Sequence, residues 1–216
     1  MACGGRIGPR WTRGVAAACT TDIIGIVQSD IERILISRRQ IAARVGQLAD
    51  RISRQYARHP EGLVIVPVLA GAMVFLADLI RHLPLRMRIG LVGFSSYPGP
   101  ATEPGDLACV RPLDMDIEGR HVLVLDDILD TGRTLRRVVS DLRRMKPASV
   151  RTCVLLRKPG KTEGDFEPDF VGFDIEDVFV VGYGLDYDDQ YRNWPDLVVL
   201  KPELYGAPRA ACDRPR

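Results

Sequence analysis

The chain's pattern predicts an α/β domain, a central parallel sheet flanked by helices on both faces. Three observations carry that expectation. Leu63 to Leu69 and Val122 to Leu125 are apolar runs of strand length, as strands covered on both faces require. Segments with apolar residues at helical spacing alternate with them. The second run leads into the acids Asp126, Asp127 and Asp130 and then a Thr-Gly-Arg-Thr turn that opens a helix. Open parallel sheets present ligands at such strand-to-helix turns.

The elements follow in order. Ile34 to Ile36 reads as a short edge strand, and Ser37 with Gln40 has the form of a capping box. Ile41, Val45, Leu48 and Ile52 then recur at helical spacing. Leu63 to Leu69 is a buried strand, Ala72 to His82 an apolar helix, and Arg88 to Phe94 a further strand. The acid-bearing strand is followed by a helix with Leu135, Val138, Val139 and Leu142 on one face. Val150 to Leu156 is another strand, and short strands continue to about residue 200.

At 216 residues the chain fits one domain of ordinary size, spanning 22–205. Residues 1–21 hold arginines at 6, 10 and 13 and no acid, but lack the amphipathic period of a transit peptide. They are expected to form a disordered tail, as are residues 206–216. A hydrophobic content of 46% with 27% charged residues indicates a soluble globular protein. A net charge of +2 argues against broad electrostatic binding to nucleic acid or membrane. No apolar run approaches the length of a membrane span. The cysteines at 3, 19, 109, 153 and 212 form neither a CxxC pair nor a metal cluster, which suits free thiols in a cytoplasmic protein.

The acid-bearing turn has a specific chemistry. The first amides of the following helix lack backbone partners, so a phosphate there accepts several of them. Gly132 permits close approach of the backbone, Thr131 and Thr134 add hydroxyls, and Arg133 adds charge. Carboxylates repel phosphate, so Asp126 and Asp127 are expected to face a sugar diol or a metal. A sugar carrying a 5-phosphate satisfies both ends. The competing reading is the acidic strand of a nucleotide triphosphatase, with Gly160-Lys161-Thr162 as the tail of its phosphate loop. That loop needs a glycine where the chain has Leu155, and it should precede the acids rather than follow them.

Residues 122–135 resemble the phosphoribosyl-diphosphate signature of the type I phosphoribosyltransferases, and Asp130 resembles their hypoxanthine-guanine branch. A second segment carries the same resemblance: Lys158, then Val178 to Tyr187, then Arg192. It spans roughly residues 30–205. It implies the fold of that family, with a small carboxyl-terminal hood at about 158–200. It also implies transfer of a 5-phosphoribosyl group from its 1-diphosphate to a 6-oxopurine, with Mg²⁺ as cofactor.

The resemblance also implies roles. Asp126, Asp127, Asp130, Thr131, Gly132, Arg133 and Thr134 bind ribose and phosphate, and Asp130 is the catalytic proton acceptor. Asp126 stands where the branch commonly has Glu, which shortens its reach by one methylene. Ala70 and Gly71 form a pyrophosphate loop, often of unusual peptide geometry; many members have Lys or Arg where this chain has Ala70. Ser96 and Tyr97 begin a Gly- and Pro-rich loop, running to Val110, that closes over the site, and Arg192 contacts pyrophosphate. Lys158, Phe179, Val180 and Asp186 serve the purine: Lys158 donates to its C6 oxygen and Phe179 stacks on the ring. Asp126, Asp127 and Asp186 are the metal ligands.

The structural alternatives are plain. Asp130 also suits a helix N-cap, and Lys158 an exposed strand end. Two other functions share the signature: a xanthine-preferring enzyme, and a regulator that binds RNA or DNA through Arg133, Arg136, Arg137, Arg143, Arg144 and Lys146. The enzyme reading expects small-molecule substrates, no nucleic acid, no membrane, and a homodimer or homotetramer.

Overall fold

The structure is a computed structural model that describes residues 29–59, 61–95 and 108–205. Both expected tails, Ser96, Tyr97 and most of their loop lie outside these residues. The elements are β1 (Ile31–Ile36), α1 (Arg38–Tyr56), β2 (Leu63–Leu69), α2 (Met73–Ile80), β3 (Met87–Ile89), β4 (Val92–Ser95), β5 (Ala108–Arg111), β6 (His121–Leu129), α3 (Arg133–Arg144), β7 (Ser149–Arg157), β8 (Phe170–Asp174), β9 (Val180–Val181), β10 (Leu197–Leu200) and α4 (Pro202–Tyr205).

Alternation along β2 and β6 sets the layers. Leu63 and Ile65 of β2, with Leu123 and Leu125 of β6, pack against Ile41, Val45, Leu48 and Ile52 of α1 and Phe75 and Leu79 of α2. Val64, Val66, Val122 and Val124 point the other way, onto Leu135, Val138, Val139 and Leu142 of α3. Successive side chains of a strand leave on opposite faces, so each apolar run feeds two cores at once. Helices therefore cover both faces, as the alternation predicted.

The main sheet runs β5-β4-β2-β6-β7-β8, with β3 also beside β2. Its pairs are parallel except β4–β5, which is antiparallel. Arg88 to Phe94 is not one strand. β3 and β4 each hold a different stretch of β2, and the break falls at Gly90, whose amide donates to the Ile65 carbonyl at 3.0 Å. A side chain at Gly90 would have to push aside the tip of Leu113.

A smaller antiparallel sheet, β1-β10-β9, lies apart. The edge strand read at Ile34 to Ile36 begins at Ile31 and belongs to this sheet, not to the main one. Ser37 caps α1 as the pattern predicted: the Gln40 amide donates to Ser37 Oγ at 3.5 Å, and the Ser37 amide donates to Gln40 Oε1 at 3.0 Å. Asp196, buried just before β10, ties the small sheet to α1. It accepts from the Arg38 amide at 2.6 Å and from the Arg38 guanidinium at 3.1 and 2.7 Å. Among the described residues no helix is long and apolar enough to cross a membrane.

Candidate active site

The acids do not end β6. Pairing with β2 stops at Pro67 and Leu125, but pairing with β7 continues to Leu129 and Arg157, so Asp126 and Asp127 lie on the strand. The sheet thus parts between β2 and β6 where the acids begin. Val68, Leu69, Gly71, Asp126, Asp127, Asp130, Thr131, Gly132 and Thr134 line a cleft there of about 270 Å³. Recesses of about 590 and 740 Å³ lie beside α3 and α1, away from the strand ends where parallel sheets present ligands, so volume is not the guide.

The two carboxylates are held in place by the backbone. Asp126 Oδ1 accepts from the Asp127 amide at 3.1 Å, and Asp127 Oδ1 from the Ile128 amide at 2.9 Å. Burial, reinforced by repulsion from Asp127, pushes the Asp126 carboxyl well above the usual range. Burial also raises Asp127, against the opposing pull of its bonds to Asp126 and the Ile128 amide and of the Arg192 charge. A buried Asp126 and a half-buried Asp127 that resist ionising together offer hard oxygen ligands, and a divalent cation relieves their repulsion. The donor set fits Mg²⁺.

Gly132 holds the N-cap position of α3 in the left-handed region, at φ 77°, and the Arg133 amide donates to Thr131 Oγ1 at 3.5 Å. Thr131, Gly132 and Thr134 of this turn line the cleft at a helix N-terminus, an arrangement suited to phosphate. Asp130 does not cap the helix, because Gly132 occupies that position. Arg133 is not among the cleft-lining residues; it pairs with Glu163 at 2.7 Å. On the same helix, Arg136 also pairs with Glu163, and Arg137 and Arg144 pair with Asp141. The cations proposed for nucleic acid are thus largely matched by acids.

Lys158 is buried, at 8% exposure, which a strand-end lysine would not be. Its Nζ lies 3.1 Å from Asp177 and 3.7 Å from Asp130. Lys161 joins the same four-residue network, 2.7 Å from Asp177 and 3.8 Å from Asp130. Asp130 Oδ1 is shielded from solvent and has no hydrogen-bond partner. Sequence reading missed Asp177 and Lys161. Lys161 had a signal, its place in Gly160-Lys161-Thr162, but Asp177 had none, being far from Asp130 along the chain.

Ala70 and Gly71 follow β2, with a cis peptide between Leu69 and Ala70. Gly71 sits against Asp127, and Gly184 against the Gly71 carbonyl. Arg192 pairs with Asp186 at 2.9 Å and donates to the Gly184 carbonyl at 2.9 Å. The loop holding Asp186 and Arg192 is thereby brought to the Ala70–Gly71 turn. Phe179 is half-buried, stacked on Tyr205 at 4.9 Å and edge-on to Tyr187 at 5.4 Å. Val180 is buried in β9, opposite Val199.

Comparison with known proteins gives a consistent result. The phosphoribosyl transferase domain family matches residues 33–188. Hypoxanthine-guanine phosphoribosyltransferase of Bacillus subtilis is 38% identical over 180 residues, covering 83% of this chain and 99% of that protein. The protein of the same name from Mycobacterium tuberculosis is 38% identical, covering 82% and 89%. A structure of hypoxanthine phosphoribosyltransferase from Trypanosoma cruzi in complex with the product IMP is 37% identical, with a TM-score of 0.75 over 82% of this chain and 97% of that one.

Proposed function

The chain belongs to the phosphoribosyltransferase family, in its hypoxanthine-guanine branch, and is a purine-salvage transferase; on that premise we propose that the cleft at the end of β6 carries the reaction. The substrates are 5-phosphoribosyl 1-diphosphate and a 6-oxopurine, hypoxanthine or guanine. A purine ring nitrogen bonds to the anomeric carbon, the bond from that carbon to pyrophosphate breaks, and the purine gives up a proton. The observation that carries this reading is Lys158, buried within reach of Asp130 beside the paired acids.

The 5-phosphate binds the first turn of α3, with Thr131, Gly132 and Thr134 around it. Asp126 and Asp127 hold the ribose hydroxyls and, with Asp186, the Mg²⁺. When bound, Mg²⁺ neutralises charge on the departing diphosphate. Gly71 lets the diphosphate approach the backbone, and Arg192 supplies charge beside Asp127. Asp130 takes the proton at purine N7 through Oδ1, which has no hydrogen-bond partner and lies 3.8 Å from Lys161. Lys158 donates to the C6 oxygen, which an adenine amino group cannot accept. Phe179 stacks on the base, and Val180 offers backbone contacts. Ser96 and Tyr97, outside the described residues, complete the contacts to the diphosphate. The protein acts in the cytoplasm as a homodimer or homotetramer.

The test is pyrophosphate release from 5-phosphoribosyl 1-diphosphate with Mg²⁺, offering hypoxanthine, guanine, xanthine and adenine separately. Turnover with 6-oxopurines and not adenine is the expected result. Equal turnover with adenine would remove Lys158 from its role, and a dominant rate with xanthine would reassign the substrate.

A further inference from the structure

Two of the chain's three histidines meet at the end of the main sheet opposite the cleft. His59 and Glu61 lie in the turn between α1 and β2, and His121 opens β6 beside Leu63. The turn is fixed by its own backbone: the His59 amide donates to the Tyr56 carbonyl at 3.0 Å, and the Gly62 amide to the His59 carbonyl at 3.1 Å. His59 Nδ1 is 3.3 Å from Glu61 Oε1, and His121 Nε2 is 3.5 Å from the same oxygen. One donor atom from each residue falls within 4.8 Å of the other two.

We propose that His59, Glu61 and His121 form a binding site for a zinc-like divalent transition metal. Metal–ligand bonds of about 2.0–2.2 Å put the corners of a tetrahedron roughly 3.4 Å apart, which matches both distances to Glu61. Two imidazole nitrogens and one carboxylate oxygen suit Zn²⁺ and leave a fourth position for water. His121 has the supporting partner that metal-bound histidines have: its Nδ1 lies 2.7 Å from Ser149 Oγ, and donation there leaves the Nε2 lone pair directed at the cluster. The rings of His59 and His121 lie 3.9 Å apart, centroid to centroid, so a modest opening of the pair admits an ion between their nitrogens. The nearby cation Arg151 is engaged by Asp169 at 2.9 Å. Along β6, His121 lies five residues before Asp126, about 17 Å at ~3.3 Å per residue, so the site is distinct from the Mg²⁺ ligands. A metal here would tie the end of α1 to the first residues of β2 and β6.

The experiment is calorimetric titration of chelator-treated full-length protein with ZnCl₂ in excess Mg²⁺, repeated with CoCl₂ by visible absorption. One equivalent of Zn²⁺ is expected, with a cobalt spectrum of tetrahedral intensity. His59→Ala and His121→Ala should each weaken Zn²⁺ by more than about 100-fold and Ser149→Ala by about 10-fold. His82→Gln, at the third histidine, should leave the affinity unchanged. The proposal is overturned if the His59→Ala/His121→Ala double variant binds Zn²⁺ like the parent. It is equally overturned if Asp126→Asn abolishes binding, because the metal would then sit in the cleft. Should the histidine variants fail to fold, absence of the tetrahedral cobalt spectrum in the parent protein overturns it alone.

Discussion

Gly71 lies directly against the carboxylate of Asp127: a methyl group built on Gly71 overlaps Asp127 Oδ2 and comes within 2.6 Å of its Cγ. The Ala70–Gly71 turn and the acid pair are therefore one packed unit. Gly71→Ala must displace Asp127 and should lower kcat/KM by at least about 100-fold, the scale of a 1 Å misplacement. The melting temperature should change little. Steady-state kinetics beside thermal unfolding checks both, and an active Gly71→Ala enzyme would detach the loop from Asp127.

Asp130→Asn should reduce kcat by about 10²- to 10⁴-fold, the usual worth of a positioned base. Because Asn still accepts hydrogen bonds, KM for the purine should move much less. A variant that loses only KM would show that Asp130 anchors the base rather than taking its proton.

Lys158→Met keeps the length of the buried stem and removes the donor. Hypoxanthine should lose roughly 10- to 100-fold in kcat/KM, as for a lost charged hydrogen bond, while any trace adenine activity should be unaffected. Asp177→Asn removes the charge that faces Lys158 at 3.1 Å and Lys161 at 2.7 Å. It should raise purine KM in the same direction but by less. Competition assays between the two bases give the ratio directly.

The acid pair makes the cleft costly to fold. Both carboxyls are raised by burial, so their protonated forms favour the folded state, and that advantage is lost as pH rises through their folded values. Asp126→Asn should therefore stabilise the protein by ~1 kcal/mol at neutral pH while abolishing turnover. Mg²⁺ should raise the melting temperature of the parent and not of the variant. A destabilised Asp126→Asn protein would contradict this account.

Asp196 has the opposite sign. Its bonds to Arg38 hold its carboxyl below the ordinary range, so the stability it contributes is present above the ordinary carboxylate value and is lost as pH falls towards its folded value. Asp196→Ala should cost about 2–3 kcal/mol and flatten the acid limb of the stability curve. Denaturant melts at pH 7 and pH 3 separate the two effects.

What the sequence revealed and what it hid divide by distance along the chain. The capping box of Ser37 and Gln40, the buried face of α3 and the extent of β2 are local patterns, and each was readable. The extension of β6 past Leu125 was not, because it depends on β7 continuing as partner after β2 has stopped. The partnership of β1 with β10 crosses most of the chain and left no local mark. In the site, the run from Asp126 to Thr134 was evident as one contiguous motif. Asp177 follows β8 and reaches back to Lys158 and Lys161, and Glu163 binds Arg133 where the segment after β7 folds back over α3; no spacing rule reaches that far.

The bonds from the Asp127 and Ile128 amides to the carboxylates of the residues before them have a further consequence. A ligand that draws those carboxylates toward a diol or a cation competes for the same oxygens. The amides then lose or regain their acceptors as the cleft fills and empties. Hydrogen–deuterium exchange at these two positions is thus a built-in gauge of occupancy, readable without a label and without turnover.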